Sequence, residues 1–347
     1  MRFSVLFSTA LFALGTASAA CNTKPASGDQ PSTGSTAAGG DARVGFLLST
    51  LQEERYKKDQ RYFEEASKQQ GLAPFTLSAD NDNARQLSQV EDALSRGAKV
   101  LVIQPTDSAA SAGYVAKAHA KGVKVVAYDR SIPGADFYVA HDSLRVGVLQ
   151  AEQALKATGG KGNYVILNGQ SGHSVATQIA EGYKQTLAAQ LQSGAIKIVM
   201  EKSHDSWSPE QALKTVEDAI SKTKGDIQAI LANNSGMARG AVQAIEGANL
   251  SNKGIFIAGA DADAANVNYV CEKKQSVEVL KDIKPLAEKA AAVAAALTKN
   301  QPVESKTQLG GVPAVSVPVV LVTADNVKLT VVDTGLHAAS ALSACFK

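Results

Sequence analysis

The sequence predicts an α/β protein built as two similar doubly wound parallel-sheet lobes joined by a multi-strand hinge. Three observations predict it. Short apolar runs alternate with longer segments whose apolar positions recur at helical spacing. The rhythm occurs twice, once on each side of His141-Asp142-Ser143. Polar residues stand directly after the apolar runs, at the carboxyl ends of strands, where open α/β sheets bind ligands.

Val44-Gly45-Phe46-Leu47-Leu48 reads as the first strand, followed by a helix from Glu54 to Gln70 that stops at Gly71. A second helix, Asn83 to Arg96, carries Leu87, Val90 and Leu94 on one face and stops at Gly97. The strand Val100 to Ile103 and the helix Ser108 to Lys121 lead into Lys124-Val125-Val126-Ala127-Tyr128-Asp129-Arg130. There, four apolar residues suit a strand buried on both faces, and an acid and a base follow at its carboxyl end. Phe137 to Ala140 is a further strand, and His141-Asp142-Ser143 a passage between domains.

The second copy has strands at Tyr164 to Leu167, Ile196 to Met200, Ala229 to Ala232 and Ile255 to Ala258. Helices lie near Val175 to Leu191, Pro209 to Ile220 and Gly236 to Glu246. Ser208 as cap, Pro209 at the first helical position and Gln211 in a capping box start the helix that follows Trp207, and so orient the indole. Val277 to Leu280 is a strand ending at Lys281-Asp282, and Ala287 to Leu297 a packed helix. Val315 to Val322 reads as an edge strand, since Pro318 donates to no ladder. Lys328 to Val332 and a terminal helix complete the chain. The expected lobes are residues 43–141 with 283–322, and 142–282 with 323–347.

A chain of 347 residues with 45% hydrophobic content suits about two domains with a core each. A net charge of +2, from 35 basic and 33 acidic residues, gives no basic patch for nucleic acid and points to a small, uncharged ligand. Residues 1–20 read as a signal peptide: Met1-Arg2 is the positive start, Val5 to Leu14 the apolar stretch, and Ala17-Ser18-Ala19-Ala20 the small residues before cleavage. Cys21 follows where a bacterial lipoprotein carries its lipid, although Ser18 stands where Leu is usual. Ordinary cleavage with a free Cys21 is the alternative. Residues 21–42 are rich in Ser, Thr, Gly, Ala and Pro and read as a flexible tether, so a lipid on Cys21 would hold the exported protein to a membrane. Cys271 and Cys345 remain; an even remainder in an oxidising compartment suggests a bridge pinning the last helix to the domain, and two separate buried thiols are the equal alternative.

The candidate binding residues share one placement. Arg55 follows the first strand, and Asp129 and Arg130 follow Lys124 to Tyr128; His173, Trp207, Asn234, Asp261 and Lys281 each follow a strand of the second half. An ionised Asp only accepts hydrogen bonds and an Arg only donates them, which together complement a ring bearing several hydroxyls. Trp207, the single Trp, offers a flat face to the C–H side of such a ring. Each residue alone has a plainer reading as a cap, a surface ion pair or a core aromatic; the shared placement carries the argument.

From Val44 to about Leu336 the chain resembles the periplasmic sugar-binding proteins of ABC importers, which have the type I periplasmic binding protein fold, and most of all their D-xylose-binding members. The resemblance rests on Glu54-Arg55 with Lys58-Asp59, Ser88-Gln89-Val90-Glu91 before Arg96-Gly97, Val100-Leu101-Val102-Ile103 and Ala127-Tyr128-Asp129-Arg130. It rests also on Trp207-Ser208-Pro209-Glu210, Gly259-Ala260-Asp261-Ala262-Asp263 and Lys281. It implies that Arg55, Asp129, Arg130, Trp207, Asn234, Asp261 and Lys281 stand where the family holds its pentose, that two lobes close over it, and that a membrane permease receives it. The chain departs from the pattern with His173-Ser174-Val175 in place of Asp-Asn-Asn, Asn233-Asn234-Ser235 in place of Ser-Asn-Asp, and Tyr56 in place of Trp. Hydrogen bonding to at least one hydroxyl must therefore differ, and xylose stands beside other aldopentoses and hexoses.

Two other functional classes fit an α/β scaffold of this kind. A sugar-modifying enzyme on this scaffold is disfavoured: Ser49 to Glu53 has no glycine for a dinucleotide, the five His show no metal-ligand spacing, and no Ser sits in a nucleophile elbow. No catalytic residue, cofactor or metal is expected. A monomeric sensor presenting the same sugar to a chemoreceptor or membrane kinase differs only in its docking partner. A transcriptional repressor is disfavoured because an export signal stands where a helix-turn-helix would be.

Overall fold

A computed structural model describes residues 42–305 and 307–346. The signal peptide, the tether and Cys21 lie outside the described residues, apart from Ala42.

Two sheets form the frame. The first contains β1 (Ala42–Leu48), β2 (Leu72–Ser78), β3 (Val100–Ile103), β4 (Lys124–Tyr128), β5 (Phe137–His141), β11 (Thr307–Leu309) and β12 (Val312–Val317), in the order β11-β12-β5-β4-β3-β1-β2. The second contains β6 (Gly162–Asn168), β7 (Ile196–Ser203), β8 (Ala229–Ala232), β9 (Phe256–Ala260), β10 (Val277–Lys281) and β13 (Val319–Val322), in the order β13-β10-β9-β8-β6-β7. The pairings are parallel except β11 with β12 and β10 with β13. In each sheet the first strand of the repeat lies between the second and third, which creates a crevice at the carboxyl ends on either side of it.

Helices cover both faces. In the first lobe α1 (Glu54–Gln69) and α9 (Ile283–Thr298) bury Val44, Phe46 and Leu48, while α2 (Asn83–Ser95) and α3 (Ala112–His119) bury Leu47, Leu101 and Ile103 on the other face. Successive strand residues point to opposite faces, so a continuous apolar run is what a sheet with two covered faces requires. In the second lobe α4 (Ser143–Thr158) packs closely on α5 (Ser174–Gln192). A Cβ on Gly147 would lie 2.1 Å from the Ile179 carbonyl oxygen. The helices α6 (Pro209–Thr223), α7 (Ser235–Gly247) and α8 (Ala264–Cys271) complete that lobe.

Three segments cross between the lobes: β5 to α4 at Asp142, β10 to α9 at Asp282, and β12 to β13 at Pro318. Both aspartates cap the helix they precede, accepting from Arg145 N and Lys284 N.

Several expectations are corrected. The stretch Val315 to Val322 is two strands, one in each sheet, because Pro318 interrupts the ladder between them. Residues 319–322 thus belong to the second sheet, of which β13 is the edge, whereas β12 is flanked by β5 and β11. Lys328 to Val332 is a π-helical turn over an apolar cluster, and the end of the chain carries a short 3₁₀ turn at Ala339–Ala341 instead of a helix. The strand β2 and the helix α4 escaped the sequence reading, the helix expected after Asp261 is α8, and α3 begins at Ala112 rather than Ser108. Cys271 and Cys345 are bridged, which ties the terminal segment to α8. No helix among the described residues is long and apolar enough to cross a membrane.

Candidate functional site

Packing in the first lobe aims two elements at the cleft. Phe46 of β1 stacks on Phe63 of α1, with centroids 4.2 Å apart, and meets Tyr128 of β4 edge-on at 5.0 Å. That contact fixes the angle of α1, so Arg55 and Asp59, one turn apart, face the carboxyl ends of the strands. Tyr128 donates its hydroxyl hydrogen bond to Asp59.

Arg55 is only 3% exposed and meets three carboxylates. Its Nε lies 3.4 Å from Asp59 Oδ2, its Nη2 3.3 Å from Asp129 Oδ1 and its Nη1 3.3 Å from Asp261 Oδ1. Asp129 follows β4 and Asp261 follows β9, equivalent places in the two lobes. Each takes up a left-handed backbone, φ 60° and 97°. Each also donates its N–H across the sheet, to Val139 and Val279 at 2.9 Å. Lys281, at the end of β10, reaches Asp261 Oδ1 at 2.9 Å, and Gln104 donates to Asp129 Oδ2 at 3.3 Å.

Burial opposes ionisation of Asp129, but Arg55 and Lys281 outweigh it and hold its carboxyl well below the ordinary value. Asp261 is also held below the ordinary value, with Lys281 and then Arg55 outweighing burial. Asp59 goes the other way: burial raises it against Arg55 and the Tyr128 hydroxyl. Burial likewise opposes the charge on Arg55, and Asp129, Asp59 and Asp261 more than compensate for it. Three basic side chains, Arg55, Arg130 and Lys281, thus stand among the carboxyl groups of Asp59, Asp129 and Asp261, with Glu53 a fourth beside them, so the cations at the site are already met by carboxyls.

Arg130 is buried and immobilised. One Nη donates to the Pro105 carbonyl at 2.9 Å and the other to the Tyr56 hydroxyl at 3.1 Å, while its buried Nε has no partner among the described residues. Opposite stands Trp207, which follows β7 with φ 55° and is 5% exposed. Its indole lies on the backbone of Gly169, where a Cβ would come within 2.5 Å of three ring carbons. Asn233 holds that glycine, its Oδ1 accepting from Gly169 N at 2.9 Å. The start of α6 is as expected at Ser208, which accepts from Gln211 N at 3.2 Å; but the Gln211 side chain accepts from Asp205 N at 3.1 Å instead of closing a capping box.

A narrow space of about 10 Å³ lies between the lobes, lined by Arg55, Asp129, Arg130, Trp207, Asp261 and Lys281, together with Glu53, Tyr56 and Val175. Six of the eight candidate binding residues therefore border one space. Asn234 borders the adjoining mouth of the cleft and spends its Oδ1 on Met237 N, as the cap of α7. His173 does not line the cavity. It sits behind Trp207, with both ring nitrogens engaged, so a direct ligand contact gives way to a supporting one. Glu53 was missed by sequence reasoning. It stands at the cap position of α1, half-buried, and burial raises its carboxyl to about 7 against Arg130. Its place one residue before the helix, facing the cleft with Arg55, was the available signal. Among the described residues no acidic, His or Cys cluster could hold a metal.

The fold and this cavity define a class. The chain belongs to the periplasmic binding protein family, whose domain matches residues 44–302. Among individual proteins it is 35% identical to the D-xylose-binding periplasmic protein of Haemophilus influenzae over 303 residues, covering 86% of this chain and 91% of that one. It is also 35% identical to the D-xylose-binding periplasmic protein of Escherichia coli, covering 87% and 93%. A solved carbohydrate-transporter solute-binding protein from Chloroflexus aurantiacus, in complex with D-glucose, superimposes with a TM-score of 0.79 at 30% identity, covering 86% of this chain and 97% of that one. These relatives are sugar-binding transport proteins and not enzymes.

Proposed function

We propose that this chain is an extracytoplasmic receptor that closes two lobes over one neutral monosaccharide, with D-xylose the first choice, and delivers it to an ABC permease. The observation that carries the reading is the narrow space to which both lobes contribute, lined by cations and carboxyls together, with Arg130 Nε unpartnered among the described residues and an indole for a wall. The proposed ligand contacts are Arg55, Asp129, Arg130, Trp207, Asp261 and Lys281, with Asn234 at the mouth. Acceptor carboxylates and donor cations both line the space, and a sugar hydroxyl both donates and accepts. A micromolar dissociation constant corresponds to about 8 kcal/mol, and charge-assisted hydrogen bonds contribute about 1.5 to 3 kcal/mol each. A few such bonds and one stacked face therefore suffice after ordering costs. Export and a lipid on Cys21 belong to the same proposal, since a receptor serving a permease gains from being held near it.

The relatives include proteins named for xylose and one solved with glucose. Those two sugars share their ring hydroxyl stereochemistry and differ by one exocyclic hydroxymethyl group, so both belong in the test. A thermal-shift screen across pentoses and hexoses should show stabilisation by one or two sugars. By calorimetry Arg130→Ala should lose at least a hundredfold in affinity for that sugar while keeping its circular dichroism. A chain stabilised by no monosaccharide would end the proposal; an Arg130→Ala variant that binds normally would remove Arg130 from the site.

A further inference from the structure

His173 belongs to the second lobe, yet its ring joins both. The indole Nε1 of Trp207 donates to His173 Nδ1 at 2.8 Å. That nitrogen is therefore the acceptor, and the proton resides on Nε2, which donates to the Thr106 carbonyl of the first lobe at 2.6 Å. Thr106 is itself fixed, its N–H donating to Gln86 Oε1 at 2.8 Å. Around this contact the two lobes share a polar seam. Ser131 N donates to Ser174 Oγ at 2.8 Å, Ser108 N to the Gly172 carbonyl at 3.2 Å and Ser174 N to Ser108 Oγ at 3.3 Å.

We propose that His173 is a positioning residue that couples lobe closure to Trp207: only when Thr106 of the first lobe docks on its Nε2–H is the ring fixed with Nδ1 toward the indole, which sets the wall against which the sugar packs. The proposal rests on the sugar-receptor reading above. It accounts for a histidine after a strand of the cleft yet outside the cavity lining, since a ring with nitrogens on two edges can accept from one lobe and donate to the other at once. Only the neutral ring does both, because a protonated ring has no acceptor for the indole.

The charged groups around the ring agree with that requirement. Arg130 Nη1 lies 3.4 Å from Nε2, Asp129 stands beside Arg130, and Asp107 lies along the seam next to Gly172. Burial and then Arg130 lower the imidazole from 6.5 to about 3, against the Thr106 carbonyl and Asp129. If the open form titrates near its ordinary value, closure expels a proton below pH 6.5 and binding weakens on acidification by up to about tenfold per pH unit. Glu53, raised to about 7, works in the opposite sense. It does so equally in wild type and in His173 variants, and cancels in their ratio.

Two variants test this, each first checked for folding by thermal unfolding. His173→Leu removes both contacts and should bind the sugar at least tenfold more weakly, with faster dissociation. His173→Gln retains an acceptor and a donor at similar spacing and should stay within about threefold of wild type at pH 7.5. The ratio of wild-type to His173→Gln dissociation constants should then rise as the pH falls from 6.5 to 4.5. A flat ratio, or a His173→Leu protein that binds normally, overturns the proposal. The single Trp gives a readout without sugar: its emission should titrate near pH 6.5 in the sugar-free wild type and not in His173→Gln, and saturating sugar should abolish the titration. If no sugar binds, the receptor reading fails, and the sugar-free titration still judges the relay. Its persistence in His173→Gln would refute it.

Discussion

Asp261 and Ala262 run at φ 97° and 56°, backbone that side chains other than glycine seldom adopt, and Glu278 of β10 is what holds them there. Its Oε2 accepts from Ala262 N at 3.0 Å and from the Ser235 hydroxyl at 2.9 Å, while Oε1 accepts from Gln275 at 2.6 Å. Burial raises the Glu278 carboxyl to about 8 from an ordinary 4.5, against those three donors. With the folded value above the unfolded one, the folded chain binds the proton more tightly. That stabilisation is complete below about pH 4.5 and is lost as the pH rises through 8. The melting temperature should therefore fall by several degrees between pH 5 and pH 9, and the fall should be shallower in Glu278→Gln. Parallel curves for the two proteins would remove Glu278 as its source. At this scale the sequence exposed the charged residues after each strand, because strand ends are local. It hid Glu278, which reads as one polar residue inside an apolar run.

Trp207 depends on an element outside the cavity lining, the turn after β6. Gly169 leaves the space in which the indole lies, and Asn233, directly after β8, fixes that glycine in turn. Gly169→Ala should displace the ring, lower stability by about 1 to 3 kcal/mol as overpacking does, and weaken sugar binding about tenfold. Unchanged affinity and melting temperature would mean that the turn has slack. Element boundaries were legible where chemistry marks them, as at Ser208-Pro209 or the apolar run of β4. They were not legible where the mark is ambiguous. Pro318 fits an edge strand and a lobe crossing equally well, and the choice lies with Lys281 and Glu278, whose strand β13 pairs with. The helix α4 has its own signals, Asp142 as cap and Gly159 at φ 63°, but stands where the sequence suggests a lobe crossing alone.

The terminal segment ties the whole molecule together. The bridge of Cys345 to Cys271 closes 74 residues, Asn268 donates to the Ala341 carbonyl at 3.0 Å, and Leu336 and Leu342 are buried in the second lobe. The same segment touches α1 of the first lobe. Lys58 donates to the Leu336 carbonyl at 3.2 Å and contacts His337, whose Nε2 donates to the Ala262 carbonyl at 2.9 Å. Replacing both cysteines by serine should cost about 4 kcal/mol in the chain-entropy account, on the order of ten degrees in melting temperature. An unchanged midpoint would show that Leu336 and Leu342 alone secure the segment.

The sequence by itself determined the alternation of strands and helices, its repetition in two halves, and the polar residue waiting at each strand end. Those features are set by neighbours a few positions apart and follow the periods of regular backbone. Only the tertiary structure decided that Arg55 meets Asp261, 206 residues away, that β12 and β13 part into different sheets, and that His173 spends both nitrogens on Trp207 and Thr106. Such meetings depend on strand order and on how two lobes face each other, and no local period encodes either.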